Sequence, residues 1–215
     1  MDVPPLVFLH GIGSGAEAWR PQVERFVSSR EVFAPPVGPS LERATFELDA
    51  MGLPCADLCG LSWGSLVALR YAIERPERVS RLILTAGFAW LPPHLRAFQH
   101  VMSVLVRVVP RAPHELAGPM REGARFDMRE PARCLETQTL VLCGEGDRVN
   151  LSLSRSLAKL LPNARFEIVP DAGHIANVDN PQAFNASLDA FLSLPREQAP
   201  NDVRWGSDQP FWGAP

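Results

Sequence analysis

The chain has 215 residues, of which 46% are hydrophobic and 21% are charged, and its formal net charge is −3. A chain of this length and composition can bury a proper core, which excludes a disordered chain and a small scaffold held by disulfides or metal. The weakly acidic balance gives no electrostatic reason to expect nucleic acid or an anionic membrane as a partner.

Signals of compartment and redox state point to the cytoplasm. The first residues show no basic stretch followed by an apolar one, so we identify no signal peptide. No apolar run approaches the ~18–20 residues of a membrane span. The cysteines fit neither a C-x-x-C pair nor a zinc pattern, so we expect free, mostly buried thiols and no bound metal. They are Cys55, Cys59, Cys134 and Cys143.

Apolar strands alternate with helices along most of the chain. The predicted strands cover residues 6–9, 32–34, 56–61, 81–85, 139–143 and 165–169. The predicted helices cover residues 16–27, 41–51, 65–74, 153–161 and 181–194. This alternation predicts an α/β fold with a mainly parallel sheet of about six strands and helices on both faces. Because right-handed crossovers bring the carboxyl ends of parallel strands to one edge, we expect the functional site there.

The alternation fails between residues 88 and 134, where prolines interrupt the chain and one strongly amphipathic helix is predicted. The apolar positions of this helix are Leu95, Phe98, Met102, Leu105, Val106 and Val109. A stretch of ~45 residues exceeds an ordinary crossover, so we interpret it as a helical cap inserted over the sheet edge. Two ordinary helices in the sheet's own cover are the alternative. The chain then comprises a core (residues 1–87 and 135–194), the cap (residues 88–134) and an irregular tail (residues 195–215).

The third strand is followed by Gly60-Leu61-Ser62-Trp63-Gly64, a G-x-S-x-G sequence placed between a strand and a helix. A serine on so sharp a turn requires glycines on both sides, because a Cβ there would collide with the neighbouring strand and helix. The turn exposes the Ser62 hydroxyl and directs the N–H of Trp63 at the same space, at a helix N-terminus that favours negative charge. This pattern predicts a nucleophile, and a serine that only caps the helix is the alternative.

Two later turns supply partners for this serine. Asp147 follows the fifth strand and His174 follows the sixth. A serine is a poor nucleophile until a base accepts its proton, and the base needs a partner that fixes its tautomer. The chain order Ser…Asp…His therefore predicts a triad of Ser62, Asp147 and His174. Glu145 and Asp171 are neighbours that could replace Asp147.

The loop after the first strand, His10-Gly11-Ile12-Gly13, is small enough for a backbone N–H to approach a substrate oxygen. We expect the N–H groups of Ile12 and Trp63 to form an oxyanion hole, and His10 to hold the loop by hydrogen bonds. Phosphate binding by this loop is disfavoured, because it lacks the Lys-Ser/Thr of a P-loop and the second half of a dinucleotide fingerprint.

With these parts in order, residues from about 6 to 194 resemble the α/β-hydrolase superfamily. The resemblance rests on H-G-I-G-S-G, C-G-L-S-W-G-S, L-V-L-C-G-E-G-D-R-V and P-D-A-G-H-I-A-N-V-D-N-P-Q-A-F. It implies the α/β-hydrolase fold, the same triad, no cofactor, and hydrolysis of an ester, lactone, thioester or activated carbon–carbon bond. The chain departs from the family's pattern in lacking two N-terminal antiparallel strands, in a shortened loop at residues 35–40 and in a small cap. These departures predict an open acyl pocket.

The G-L-S turn and the L-V-L-C-G-E strand look most like enol-lactonases and general esterases. We therefore expect a serine esterase or lactonase that acts on a small ester, lactone or related acyl substrate. Proline iminopeptidases and carbon–carbon bond hydrolases are alternatives among enzymes, and a non-catalytic protein that binds a small ligand is the alternative of another class. The sequence is compatible with a monomer or a homodimer. The candidate substrate contacts, each equally explicable as core, are Trp63, Phe88, Phe98, Met102 and Ile175.

Overall fold

The computed structural model describes residues 3–109 and 113–195. Within these ranges the centre of the fold is a six-stranded sheet in which every strand pairing is parallel. The strands are β1 (Leu6–Leu9), β2 (Val32–Phe33), β3 (Ala56–Leu61), β4 (Val79–Thr85), β5 (Thr139–Gly144) and β6 (Ala164–Val169), in the spatial order β2-β1-β3-β4-β5-β6. The predicted fold class is confirmed.

Helices fill the connections between the strands. They are α1 (Arg20–Phe26), α2 (Leu41–Ala50), α3 (Trp63–Glu74), α4 (Pro93–Val108), α5 (Ala117–Arg125), α6 (Arg129–Ala132), α7 (Asn150–Leu160), α8 (Ala176–Asp179) and α9 (Pro181–Leu192). Side-chain caps begin two of them: Ser40 accepts a hydrogen bond at the start of α2, and Asn180 accepts one at the start of α9. The helix α3 begins two residues earlier than predicted, directly after Ser62.

Successive residues of each strand pack into two separate cores. In β1, Leu6 and Phe8 face one core while Val7 and Leu9 face the other, as the period-two alternation of a strand requires. The helices α1 and α9 cover the first face, and α2, α3 and α7 cover the second. Both faces are therefore buried, which explains why the strands are apolar throughout.

The sheet order reverses at β1, and this reversal positions the site. β2 pairs on one side of β1 and β3 pairs on the other. The loops that leave the carboxyl ends of β1 and β3 consequently diverge and leave a crevice between them, which is where open α/β sheets place their sites. These two loops carry the His10 glycine turn and Ser62.

The segment between β4 and β5 contributes α4, α5 and α6, and α4 packs against α5. The two helices approach closely at Gly123, where a Cβ would lie 3.0 Å from the side-chain nitrogen of Gln99. That these helices act as a cap over the site stays a prediction.

The predicted apolar stripe of α4 needs correction, because only part of it turns inward. Leu95, Met102 and Val106 are half-buried, whereas Phe98 and Leu105 are exposed. We call the exposed apolar residues the outer face of α4, defined as Phe98, Val101, Val104, Leu105 and Val108. The helix is apolar over most of its circumference, so periodicity alone could not tell which apolar side faces the protein.

The structure tests two further predictions, the irregular tail and the buried cysteines, only in part. Beyond Pro195 the predicted irregular tail lies outside the described residues, as do residues 110–112 of the predicted cap. Of the four cysteines only Cys59 and Cys143 are buried, while Cys55 is half-buried and Cys134 is exposed.

Candidate active site

Ser62 stands on the sharp turn from β3 to α3, with φ 53° and ψ −110°. A non-glycine residue adopts such a conformation only where the surroundings impose it. A Cβ at Gly60 would lie 2.3 Å from the carbonyl oxygen of Gly64, and a Cβ at Gly64 would lie 2.0 Å from that of Leu9. Both flanking glycines are therefore required by the close approach of helix and strand, as the sequence predicts.

Ser65 ties this turn to the sheet. Its Oγ lies 2.7 Å from the carbonyl oxygens of both Gly60 and Thr85. The N–H of Ser62 donates to the same Thr85 oxygen at 2.8 Å. The turn is thus anchored to β3 and β4 from both sides of Ser62.

The three residues of the predicted triad meet at the carboxyl edge of the sheet. His174 Nε2 lies 3.1 Å from Ser62 Oγ, and His174 Nδ1 lies 2.7 Å from Asp147 Oδ2. With Nδ1–H donating to the carboxylate, Nε2 is left as an acceptor for the serine proton. The alternative acids contact each other instead, since the N–H of Asp171 donates to Glu145 at 3.4 Å.

Asp147 is almost buried, with 8% of its surface exposed. The backbone N–H of Asn150 donates to Oδ1 at 3.1 Å, and Nδ2 of the same residue lies 3.0 Å from both carboxylate oxygens. Burial alone would raise the pKa of Asp147, but the hydrogen bonds from His174 and Asn150 outweigh it and hold that pKa below its ordinary value. The carboxylate is therefore ionised where it faces the imidazole.

The loop that carries His174 is fixed by a close approach and by a carboxylate. A Cβ at Gly144 would lie 2.0 Å from the carbonyl oxygen of Gly173, so only glycine lets this loop cross the end of β5. The N–H of Gly173 donates to Asp179 at 2.8 Å. The imidazole itself is 46% exposed, so the base is open to solvent and to substrate.

A buried amide pair connects the two sides of the site. Gln22 and Asn177 are fully buried. The side chain of Gln22 donates to the carbonyl of Asn177 at 3.1 Å, and the side chain of Asn177 donates to the carbonyl of Ala18 at 2.7 Å. The helix that follows the glycine loop is therefore bonded to the short helix that follows His174.

The two predicted oxyanion donors remain available for a ligand. Among the described residues, neither the N–H of Ile12 nor that of Trp63 donates a hydrogen bond to another group. Trp63 is the first residue of α3, where N–H groups have no partner inside the helix. Gly13, at φ 75°, provides the left-handed step that turns the loop around Ile12.

Two side chains hold the shortened loop at residues 35–40 beside this hole. His10 Nε2 accepts the N–H of Val37 at 2.9 Å, which confirms the structural role predicted for His10. The indole N–H of Trp63 donates to the carbonyl of Gly38 at 3.1 Å. The Trp63 side chain is only 4% exposed, which corrects the prediction that it contacts substrate: leaving the sharp turn, it points back under the 35–40 loop.

The other predicted substrate contacts are dispersed. Phe88 is buried and packs edge-to-face on Phe126, with 6.1 Å between the ring centroids. Phe98 is 65% exposed on the outer face of α4, too open to form a pocket wall within the described residues. Ile175 adjoins His174 and is exposed, and Met102 is half-buried on α4. Contact of substrate with Phe88, Met102 and Ile175 stays a prediction.

The residues that surround the triad were the part that sequence reasoning missed: Asn150, Asp179, Gln22 and Asn177. A signal existed for Asn150, because an aspartate three residues before a helical residue commonly accepts its backbone N–H. The buried amide pair had no local signal, since its two members lie 155 positions apart.

Two classes of site are absent from the part of the chain that the structure describes. No three His, Cys, Asp or Glu side chains there are arranged to hold a metal ion. No helix in residues 3–109 or 113–195 is both long and apolar enough to cross a membrane.

Known proteins resemble this chain over most of its length. A model of the alpha/beta hydrolase family matches residues 6–187. A putative carbamate hydrolase, RutD, of Caulobacter sp. (strain K31) is 26% identical over a match that covers 89% of this chain and 91% of the relative. The 3-oxoadipate enol-lactonase 2 of Acinetobacter baylyi is 24% identical to this chain, and the match covers 89% of each protein. A solved hydrolase structure from Pseudomonas aeruginosa superimposes with a TM-score of 0.78 at 26% identity, covering 89% of this chain and 90% of that one.

The lengths of these matches also show that this chain is short for its relatives. The match to the putative carbamate hydrolase extends over 245 aligned positions, although the whole chain has 215 residues. The relative therefore contains internal segments that this chain lacks.

Proposed function

The chain belongs to the alpha/beta hydrolase family, and from this premise we propose that it is a serine hydrolase that cleaves a small ester or lactone through an acyl-enzyme on Ser62. The observation that carries the proposal is the continuous hydrogen-bonded path from Ser62 through His174 to Asp147, at 3.1 and 2.7 Å. A serine that only caps a helix would need neither partner.

Acylation begins when His174 Nε2 accepts the proton of the Ser62 hydroxyl as its oxygen attacks the substrate carbonyl. The carbonyl π-bond electrons move onto oxygen, and the N–H groups of Ile12 and Trp63 donate to the oxyanion. Collapse of the tetrahedral species breaks the bond to the leaving alkoxide or enolate, which takes the proton from His174. Asp147 stays ionised throughout and stabilises the imidazolium.

Deacylation repeats these steps with water as the nucleophile. His174 accepts a proton from water, the hydroxide attacks the acyl carbonyl, and the carboxylic acid departs as Ser62 regains its proton. The exposed position of His174 supports this step, because solvent reaches the imidazole side chain. Each oxyanion donor contributes about 2.7–4 kcal/mol to such a reaction.

Two observations favour an ester or lactone over a peptide. A relative matched over 89% of its length is named an enol-lactonase. Peptidases related to this turn carry a larger cap with acidic residues for the substrate amine, whereas this chain is shorter than its relatives within the matched span. A carbamate is the second candidate, because another relative is named a putative carbamate hydrolase. Carbamates react through the same attack on a carbonyl.

A fluorophosphonate probe tests whether Ser62 is a nucleophile at all. We expect one equivalent of probe on the intact chain and none on Ser62→Ala. Ser156→Ala removes an exposed hydroxyl from α7 and should label like the unaltered chain. A chain that takes up no probe would be a non-catalytic ligand-binding protein, which would overturn the proposal.

A substrate panel then separates the enzymatic alternatives. It contains short p-nitrophenyl esters, lactones, carbamates, aminoacyl amides and an activated carbon–carbon substrate. The proposal predicts the highest kcat/KM on an ester or lactone and a loss of several orders of magnitude in Ser62→Ala. Probe labelling combined with faster turnover of amides or carbon–carbon substrates would retain the serine mechanism and reject the substrate class.

A further inference from the structure

The outer face of α4 is an apolar surface that no described residue covers. Its five members, Phe98, Val101, Val104, Leu105 and Val108, are 42–67% exposed. Single exposed apolar residues are ordinary, but a contiguous set on one helix marks an interaction surface. The opposite side of the same helix already packs against α5.

The spacing of these residues is that of a helix-pairing seam. Phe98, Val101, Leu105 and Val108 follow one another at intervals of three, four and three residues. This 3-4-3 spacing keeps side chains on one narrow stripe that interdigitates with a second helix.

The stripe is also complementary to itself when two copies run antiparallel. Centred between Val101 and Leu105, the antiparallel alignment places Phe98 of one copy against Val108 of the other. It places Val101 against Leu105 in the same way, so that a larger side chain meets a smaller one in every layer. Such mutual contacts are what a two-fold interface requires. We propose that the outer face of α4 is the interface of a two-fold symmetric homodimer, in which two α4 helices pack antiparallel.

The distribution of charges on α4 is compatible with a second copy of the chain as the partner. The residues beside the stripe at Ala97, Val104 and Met102 are uncharged, so two copies bring no like charges together there. The cations of the helix, Arg96 and Arg107, lie about a third of a turn away, between the stripe and the side that packs on α5. An acidic partner would need cations beside the stripe.

The area of the outer face of α4 indicates how tightly two copies are expected to associate. A patch of five such side chains is comparable to the largest patches of monomeric proteins, about 300–600 Å². Two of them meeting face to face bury on the order of 1,000 Å², near the lower limit of a specific interface. An interface of this size is typical of weak, reversible association, so we expect a dissociation constant on the order of micromolar.

Sedimentation equilibrium of the full chain, from about 1 to about 200 µM, brackets this range. We expect a monomer at the low end and a dimer at the high end. Leu105→Glu places a carboxylate in the centre of the seam against Val101 of the other copy and should raise the dissociation constant by about tenfold or more. His100→Glu makes the same change of charge on the polar side of α4 and should leave it unchanged. Equal thermal melting of both variants excludes unfolding as the cause.

Cysteine cross-linking tests the direction of the helices. In a Cys134→Ser background, which removes the exposed native thiol, the pair Phe98→Cys and Val108→Cys should form a covalent dimer under mild oxidation. The pair Val101→Cys and Val108→Cys exposes as many thiols on the same stripe but has no antiparallel match, so it should cross-link much less. Equal yields from the two pairs would show parallel helices, in which each position faces its own copy, and would overturn the proposed arrangement.

Three other results would overturn the dimer itself. One is a monomer throughout the concentration range. Another is a dimer that Leu105→Glu leaves unchanged. The last is a monomer that co-sediments with anionic phosphatidylglycerol vesicles and loses this binding in Leu105→Glu, which would assign the surface to a membrane.

Discussion

The carboxyl edge of the sheet and the outer face of α4 differ in how completely the monomer fixes them. At the edge, Ser62, Asp147 and His174 are each held by backbone contacts that leave no space for a larger residue nearby, and by hydrogen bonds to neighbouring groups. On α4, five apolar side chains remain 42–67% exposed. Substitutions at the edge should therefore change activity or stability strongly, whereas those on the outer face should change only what the chain associates with.

The largest effect should come from Asp147→Asn. An amide at this position presents a donor to His174 Nδ1 and favours the wrong imidazole tautomer, so that Nε2 no longer accepts the serine proton. We expect kcat to fall by about 10⁴-fold with little change in KM. Asp171→Asn, an exposed change in the neighbouring loop, should remain within about twofold of the unaltered chain. Steady-state kinetics on the preferred ester would contradict the assignment if Asp171→Asn were the more damaging variant.

The next effect tests the close approach at the nucleophile turn. Gly64→Ala places a Cβ 2.0 Å from the carbonyl oxygen of Leu9, and neither backbone segment can move freely. We expect the variant to fail to fold or to lose about 3 kcal/mol or more of unfolding free energy, measured in urea. Gly11→Ala is the matched control, because its Cβ would come no closer than 3.4 Å to a neighbouring atom. Equal urea midpoints for the two variants would show that the turn is more plastic than the structure implies.

A smaller effect should come from Asn150, which we expect to position Asp147. Asn150→Ala removes the two side-chain hydrogen bonds and raises the pKa of Asp147 toward its ordinary value. We expect kcat to fall about tenfold, with KM nearly unchanged. Ser152→Ala, in the first turn of the same helix but without contact to Asp147, is the control.

The pH dependence of stability gives the same residue a second measurement. A carboxylate whose pKa is lowered by folding stabilises the protein above the ordinary pKa, and this contribution is lost as the pH falls through the folded value. Because Asn150→Ala raises the folded pKa, the contribution becomes smaller and acid unfolding should begin at a higher pH. An unchanged acid midpoint in circular dichroism would mean that His174 and the backbone N–H of residue 150 suffice to keep Asp147 ionised.

The contrast between the two regions also explains what the sequence could reveal. The sequence predicts the meeting of the catalytic residues because each of them follows a strand, and the carboxyl ends of parallel strands lie at one edge of the sheet. The glycines around Ser62 are recognised from their local spacing. Gln22 and Asn177 meet only through the packing of distant helices, so no local pattern predicts their contact. The side chain of Trp63 was misplaced because a residue that follows a strained turn can point either toward substrate or beneath it.

For α4, the amino-acid composition prevented a prediction of which face packs against the protein. Valine, leucine and phenylalanine occupy most of its circumference, and Gln99 and Ser103 are on the buried side. Hydrophobic periodicity then identifies a helix without identifying its inward face. Such a helix is expected where a protein uses two faces, one for its own core and one for a partner.

The smallest effect, measured at low concentration where the chain is monomeric, compares two valines on this helix. Val106 is half-buried on the side toward α5, whereas Val108 is 67% exposed on the outer face. Val106→Ala should lower the unfolding free energy by about 1 kcal/mol because it removes two partly buried methyl groups. Val108→Ala should stay within about 0.5 kcal/mol, as an exposed substitution does. If the urea midpoints fell in the opposite order, α4 would be rotated about its axis relative to this structure, and the outer face would already be occupied within the monomer.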